Sequence, residues 1–442
     1  MNRAGGSRAR WTGKPVRVGA SGDAAINYRE ALSWLYSLQR FGIKLGLENI
    51  ERLLEECCSG VCVKRPALGI SASTFKVIHV AGTNGKGSVC AMIDSICRAQ
   101  GYRTGLFTSP HLVTFRERIR VHGDMISEGA VADGLTSIRN LVANWDPHPT
   151  FFEVVTALAL KHFSDTKVEI VILETGLGGR LDATNAIQSN VSVITPIDFD
   201  HEKWLGKTIS EIATEKAGII KPKVPVVCAS QGPEAEEVIR TRATECGAPL
   251  QFVTKPYDKA PIALAGLHQE QNAALAIAAL RAAKIDIDDS AIARGLASID
   301  WPARFQQWDE RTIVDGAHNP AAVRTLAETW RENFGNQRAT LVLAVLSDKD
   351  LRGICEALAP ISEFVLLPKI RSERAADPEE LARVLANITP PLPYSITQSV
   401  DEALARARAK PNPILITGSL HFAGEVLAHL RGEFAAFEEC AQ

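Results

Sequence analysis

A chain of 442 residues is too long for one ordinary hydrophobic core, so two or more domains are expected. Hydrophobic residues at 46% and charged residues at 23% exclude a disordered chain and fit a globular enzyme. A net charge of −2 gives nucleic acid or an acidic membrane no reason to bind, and no apolar run approaches the roughly 18 residues of a membrane span.

In chain order, the first 25 residues carry Arg3, Arg8, Arg10, Lys14 and Arg17 among Gly and Ser, with no apolar stretch. They read as a flexible leader, with an organelle-targeting peptide as the alternative. A helix is predicted from about Tyr28 to Gln39, then a loop at Phe41–Glu48 and a second helix through about Glu56. Nine cysteines follow no disulfide or metal-ligand spacing and form no C-x-x-C pair, which reads as reduced, core-filling and cytoplasmic.

The stretch Phe75–Gln100 is the most informative. Val77, Ile78 and Val80 suit a buried strand, and Val89, Met92, Ile93 and Ile96 are spaced as on a helix. Between them stands Gly82-Thr83-Asn84-Gly85-Lys86-Gly87-Ser88. Glycines let backbone N–H groups converge on an anion, the helix start adds positive dipole, and Lys86 adds a full charge. That makes a phosphate cradle, although Gly87 between Lys86 and Ser88 departs from the usual G-x-x-x-x-G-K-[ST] spacing. The plainer reading is a glycine-rich turn with a solvated lysine.

Next come a strand at Gly105–Phe107 ending in Thr108-Ser109-Pro110-His111, and helices at about 128–143 and 152–163. A strand at Val168–Leu173 ends in Glu174, and one at Val191–Thr195 ends near His201. A helix at 208–217 holds Lys216, a strand runs from Val224 to Cys228, and helices follow at 233–245 and from Gly266 to Ala283. Alternating strands and helices predict a doubly wound, mainly parallel α/β sheet over 26–299, with ligands gathered beyond the strands' carboxyl ends. Cradle, Ser109, Glu174 and His201 all fall at such ends.

Around Asp300–Arg304 a second pattern begins. Strands at 312–314, about 340–345, 363–367 and 413–417 alternate with helices at 320–332, 350–358, 378–387, 400–409 and 421–433. This predicts a smaller Rossmann-like α/β domain over 300–442, with the linker as hinge.

The motifs together resemble the folylpolyglutamate synthase/dihydrofolate synthase family of the Mur ligase superfamily. They are LGLENI (45–50), HVAGTNGKGS (79–88), TSPHL (108–112), ERIRV (117–121), FFE (151–153), LETGLGGRLDATN (173–185), DHEKWLG (200–206), EKAGIIK (215–221) and DGAHNP (315–320). Lys44 stands where some bacterial members carry Asp, and Glu202-Lys203 replaces other polar residues, so both bear on substrate preference.

The resemblance implies an ATP-dependent amide ligase that adds L-glutamate to dihydropteroate or to folates through an acyl phosphate. It implies nucleotide binding by Gly82–Ser88 with Lys86 catalytic, and by Asn272, Arg304 and Asp315. Magnesium ligands would be Ser109, Glu174 and His201, with two Mg²⁺ ions and a carbamate on Lys216. Pterin contacts would come from Ile43, Lys44, Leu45, Thr150, Phe151, Phe152 and Glu153, and glutamate contacts from His318 and Ser419, with His318 catalytic. A monomer with small-molecule partners is implied.

From the residues alone, plainer readings stand beside these. Ser109 suits a turn hydroxyl, His201 a buried pair with Asp200, and Lys216 a surface lysine pairing with Glu211 or Glu215. Phe151 and Phe152 suit the start of a core helix, Arg304 an interdomain salt bridge, and His318 a cap on the helix starting at Pro320. Glu174 resists such a reading, since a carboxylate ending an apolar strand is costly without a positive partner. Two other functions compete with this one: a UDP-muramoyl amino-acid ligase and a nucleotide switch without amide chemistry.

Overall fold

The computed structural model describes residues 26–42, 44, 46–57, 75–433 and 438. The leader and the pterin candidates Ile43 and Leu45 lie outside these.

Two sheets organise the chain. The first holds β1 (Lys76–Ala81), β2 (Thr104–Phe107), β3 (Ile119–Val121), β4 (Asp124–Met125), β5 (Ile170–Glu174), β6 (Val191–Ile194), β7 (Val226–Ala229) and β8 (Leu250–Val253). Their order is β4-β3-β2-β5-β1-β6-β7-β8, parallel except for β3 and β4 at one edge. The side-chain period of two sorts each strand's residues between two cores. Val77, Val171 and Leu173 face the helices Tyr28–Ser37, Glu48–Cys57, Glu128–Val142 and Phe151–Asp165. Ile78, Val80, Ile170 and Ile172 face Lys86–Gln100, Leu267–Ala282 and Asp289–Ala297. Covered on both faces, these strands read as unbroken apolar runs.

The second sheet holds β9 (Gln306–Gln307), β10 (Thr312–Val314), β11 (Ala339–Leu343), β12 (Ser362–Pro368), β13 (Tyr394–Thr397) and β14 (Ile414–Thr417). The order is β13-β12-β11-β14-β10-β9, with β9 alone antiparallel. Its core on one side includes Val113, a residue of the loop that follows β2 in the first sheet. One domain thus inserts a side chain into the other.

Most predicted elements form within a few residues of their expected bounds, the helix Pro233–Glu245 at both ends. β5 starts at Ile170 rather than Val168 and takes in Glu174 as its last residue. The first helix stops at Ser37 and continues as a 3₁₀ turn to Phe41. β3, β4, β8, β9, β13 and the helices Glu202–Leu205 and Asp289–Ala297 fall where the sequence pattern predicts no element.

Candidate active site

The turn after β1 is shaped by what surrounds it. Gly82 has φ 145°, and a side chain there would strike Thr195 at the end of β6. Gly85 caps the helix Lys86–Gln100 in the left-handed region, φ 87°, where a Cβ would come 2.8 Å from Asn272 Oδ1. Thr83 N–H donates to Pro196 O at 2.9 Å and the Thr83 hydroxyl to Asp198 O at 3.0 Å, stitching the cradle to the loop after β6. Lys86 folds back over this turn, its Nζ donating to the Gly82 and Thr83 carbonyls, each at 3.1 Å. The Ser88 hydroxyl is buried without a hydrogen-bond partner among the described residues, a donor free for an anion. The solvated-lysine reading fails.

Lys216 is buried, and its Nζ donates to the same Gly82 carbonyl at 2.8 Å. Burial, then repulsion from Lys86, lowers its pKa to about 7. The surface-lysine reading is therefore wrong: Glu215 pairs with Arg180 at 2.8 Å, and Glu211 accepts from Lys207 N–H and Thr208 N–H.

Glu174 is buried, and its Oε2 accepts the Ser109 N–H at 3.1 Å. Burial raises its pKa against the pull of Lys86, the Ser109 N–H and Arg304. The protein's own cations thus leave this carboxylate short of full compensation. His201 is a left-handed residue, φ 53°, opening a short helix. Desolvation, with Lys349, His318 and Lys86 nearby, lowers its pKa to about 4 against the attraction of Asp200, so the ring is neutral and able to ligate at pH 7. Among the described residues, no three His, Cys, Asp or Glu side chains form a metal cluster by themselves. A hard cation here would need Ser109 and phosphate oxygens to complete its shell, which suits magnesium or manganese. An undercompensated carboxylate, a neutral imidazole and a hydroxyl are ligand types such an ion takes; Ser109 and Glu174 are joined by a hydrogen bond, while His201 shares with Glu174 the neighbour Lys86.

Arg304 is held between Ala303 and Phe305, both left-handed at φ 57° and 46°, a strained setting for residues with side chains. Its Nη1 donates to Ala303 O at 2.8 Å, and burial lowers its pKa against the opposing pull of Asp315 and Glu174. A cleft between the domains is lined by Gly87, Ser109, Glu174 and Arg304, with Trp301, Arg120 and Leu420 beside them. Arg120 falls in the ERIRV motif and Trp301 in the linker, yet the sequence gives neither a role; here the Arg120 guanidinium lies 5.5 Å from the Trp301 ring. Asn272 is buried against Gly85 with its amide donating to Gln269 at 3.0 Å.

Across the cleft, Asp315 accepts Phe305 N–H at 2.7 Å and Ala317 N–H at 2.8 Å, fixing the turn after β10. His318 contacts Gly316 O at 2.9 Å through Nδ1, and its Nε2 lies 3.6 Å from Asp200. The helix Pro320–Phe334 is capped by Asn319, not His318. Ser419 caps the helix Leu420–Arg431 by accepting Phe422 N–H at 3.0 Å. Gly418 N–H donates to Ala317 O at 3.2 Å, so the loops carrying His318 and Ser419 are neighbours.

Lys44 donates to His148 O at 3.3 Å, beside Thr150. Thr150 and Glu153 form a capping box, with Glu153 Oε2 accepting Thr150 N–H at 2.7 Å. Phe151 is a core residue stacked on Tyr36 at 5.7 Å. Phe152 is half-buried between Phe107, at 5.8 Å, and Gly176 in the loop that follows Glu174. Phe152 therefore reaches the neighbourhood of Glu174, and Phe151 does not need a ligand to explain it.

Asp200 is the functional candidate the sequence reading did not single out. It is 7% exposed and lies 2.5 Å from Lys349 Nζ; burial pushes its pKa up, yet His318, His201 and Lys349 outweigh that and hold it well below the usual carboxylate range.

Comparison with known proteins matches residues 80–245 to the Mur ligase middle domain and 303–420 to the Mur ligase glutamate ligase domain. A dihydrofolate synthase/folylpolyglutamate synthase of Bacillus subtilis is 36% identical over 441 residues, covering 91% of this chain and 99% of the relative. A Mycobacterium tuberculosis folylpolyglutamate synthase solved with ADP and AMPPCP aligns with TM-score 0.82 at 32% identity, over 91% of this chain and 99% of that one. A bifunctional enzyme of the same two activities from Yersinia pestis, complexed with AMPPNP and Mn ion, gives TM-score 0.81 at 30% identity, over 93% and 100%.

Proposed function

This chain belongs to the folylpolyglutamate synthase/dihydrofolate synthase family, and from that premise we propose how its own residues perform the reaction. The protein is an ATP-dependent ligase that joins L-glutamate to folates, and its use of ATP depends on a metal. The muramoyl-ligase and nucleotide-switch readings give way to these folate-ligase relatives.

The observation that carries the residue-level reading is buried Glu174, which feels both Lys86 of the cradle and Arg304, and which lines one interdomain cleft together with Arg304. A carboxylate acylates poorly, so the γ-phosphoryl group of ATP is first moved onto it, and the glutamate amine then displaces phosphate from the acyl phosphate. That transfer needs little covalent help and much fixed positive charge. Gly82–Ser88 bind the phosphates, with the Lys86 ammonium released from its two carbonyls to face them. Asn272 and Asp315 hold the nucleoside end, and Arg304 meets the phosphates across the linker.

Ser109, Glu174 and His201 hold the divalent cation, which screens phosphate charge when bound. Lys216, close to half neutral at pH 7, is poised to take up CO₂ as a carbamate, whose two oxygens would support a second cation. The domain with His318 and Ser419 receives glutamate, with His318 beside the reacting amine. The pterin lies against Phe152, with Lys44 and Glu153 at its edge. Domains at 26–299 and 300–442 hinge near Arg304, closing water out of the acyl phosphate. The protein acts on small molecules, as a monomer. No helix among the described residues is long and apolar enough to cross a membrane, in keeping with a cytoplasmic enzyme.

The test is purified protein with ATP, Mg²⁺ and glutamate, offered dihydropteroate or tetrahydrofolate in parallel. Glutamylated product and phosphate in equal amounts from both acceptors establish both activities. Product from one acceptor narrows the enzyme to that reaction, and phosphate release without an acceptor contradicts the coupled chemistry.

A further inference from the structure

We propose that Asp200 is a positioning residue on which the two domains lock, and that the lock is tied to the phosphate cradle through Asn319 and Asn84. Asp200 follows β6 in the first domain, yet three side chains of the second reach its carboxylate. Lys349 Nζ donates to Oδ1 at 2.5 Å, Asn319 Nδ2 to Oδ2 at 3.2 Å, and His318 Nε2 stands 3.6 Å from Oδ2. Lys349 and Asp200 are 6% and 7% exposed, so the pair is nearly dry.

Asn319 does three jobs with one amide. Its Oδ1 accepts Ala322 N–H at 2.9 Å, capping the helix Pro320–Phe334. Its Nδ2 donates to Asn84 Oδ1 at 3.0 Å as well as to Asp200, and Asn84 Nδ2 returns a bond to Asn319 Oδ1 at 3.3 Å. Asn84 is a residue of the cradle. Whatever moves the second domain therefore moves a partner of the phosphate loop.

A buried ion pair is costly to leave half made, because either charge alone is stranded. Such a pair is stable complete, or fully parted with both charges hydrated, and a hinge needs that all-or-none character. The left-handed Ala303 and Phe305 mark where the chain bends. Occupancy of the cradle and closure of the lock then bias each other equally. This inference rests on the reading above for what fills the cradle.

The test uses the full chain with one fluorophore on each domain. Wild type, Asp200→Asn, Lys349→Met and the double variant are compared for AMPPNP–Mg²⁺ affinity by calorimetry, interdomain energy transfer, thermal midpoint and steady-state kinetics. Each single variant should keep its thermal midpoint, fall short of wild-type closure and bind AMPPNP about fivefold or more weakly, because a lock that cannot close no longer favours a filled cradle. Its kcat should drop about tenfold or more, the signature of a lost conformational step. The double variant should be no worse than the poorer single one, since the pair is lost once. Wild-type closure and kcat in both singles, or losses that multiply in the double, overturn the proposal. Failure of wild type to bind AMPPNP would instead sink the cradle reading. The lock is then judged on ligand-free protein, where Asp200→Asn must widen the interdomain distance distribution and an unchanged one overturns it.

Discussion

The two lips of the cleft treat polar groups in opposite ways. On the cradle side, Lys86 and Lys216 converge on one carbonyl, Gly82 O, and Glu174 sits buried with its pKa raised despite three cations nearby. On the facing side, Asp315 holds two backbone N–H groups, Asn319 and Ser419 cap helices, and His318 leans on Gly316 O. One lip stores electrostatic conflict and the other is locally satisfied. Conflict of this kind is what a phosphate, a cation or a transferring phosphoryl group relieves, so the chemistry belongs to the first lip and docking to the second.

The contrast breaks most visibly at Lys86. Lys86→Ala should lower kcat by about a thousandfold or more while the thermal midpoint holds, because the ammonium bonds to carbonyls of its own turn and nothing distant. An Ala variant with wild-type turnover would move the chemistry elsewhere. Arg304→Met should cost about ten- to a hundredfold in kcat, since Asp315 and Glu174 lose the cation between them. Steady-state kinetics under saturating ATP decide it.

Lys216 gives a pH test with a definite sign. Its folded pKa of about 7 lies below its ordinary 10.5, so the unfolded chain binds the extra proton between those values. Stability should therefore rise with pH across that window, with the penalty fully present below pH 7. Urea titrations should show Lys216→Met flattening this slope and gaining on the order of a few kcal/mol at pH 7. Wild-type protein under ¹³CO₂ should show a carbamate resonance that the variant lacks.

The smallest effect lies at the pterin edge. Thr150→Ala should cost about 1 kcal/mol in stability through the lost cap with KM for the folate nearly unchanged. Glu153→Gln should raise that KM several-fold as well, if its carboxylate meets the pterin rather than serving Thr150 alone. Equal KM values in both variants would reduce Glu153 to a cap.

The sheet was legible because buried parallel strands such as Ile170–Glu174 and Val191–Ile194 are short apolar runs ending in polar tips. The edge strands Leu250–Val253 and Tyr394–Thr397 escaped because they are partly exposed and carry mixed residues. Glycine spacing announced the cradle, and an apolar strand ending in a carboxylate announced Glu174. Lys216 read as a surface lysine because helix periodicity cannot show that a neighbouring strand's loop covers it. Asp200 and Lys349 stand 149 positions apart, and neither SDKD nor DFDH suggests the other. Such pairings belong to domain packing, which no local pattern encodes.

The most direct measurement is the fate of the acceptor's carboxylate oxygens. With dihydropteroate or tetrahydrofolate labelled with ¹⁸O in the carboxylate that is glutamylated, turnover should deliver one ¹⁸O into inorganic phosphate for each amide formed. Amide formation with unlabelled phosphate would mean that no phosphoryl group reaches that carboxylate, and the role given to the charged lip of the cleft would fall.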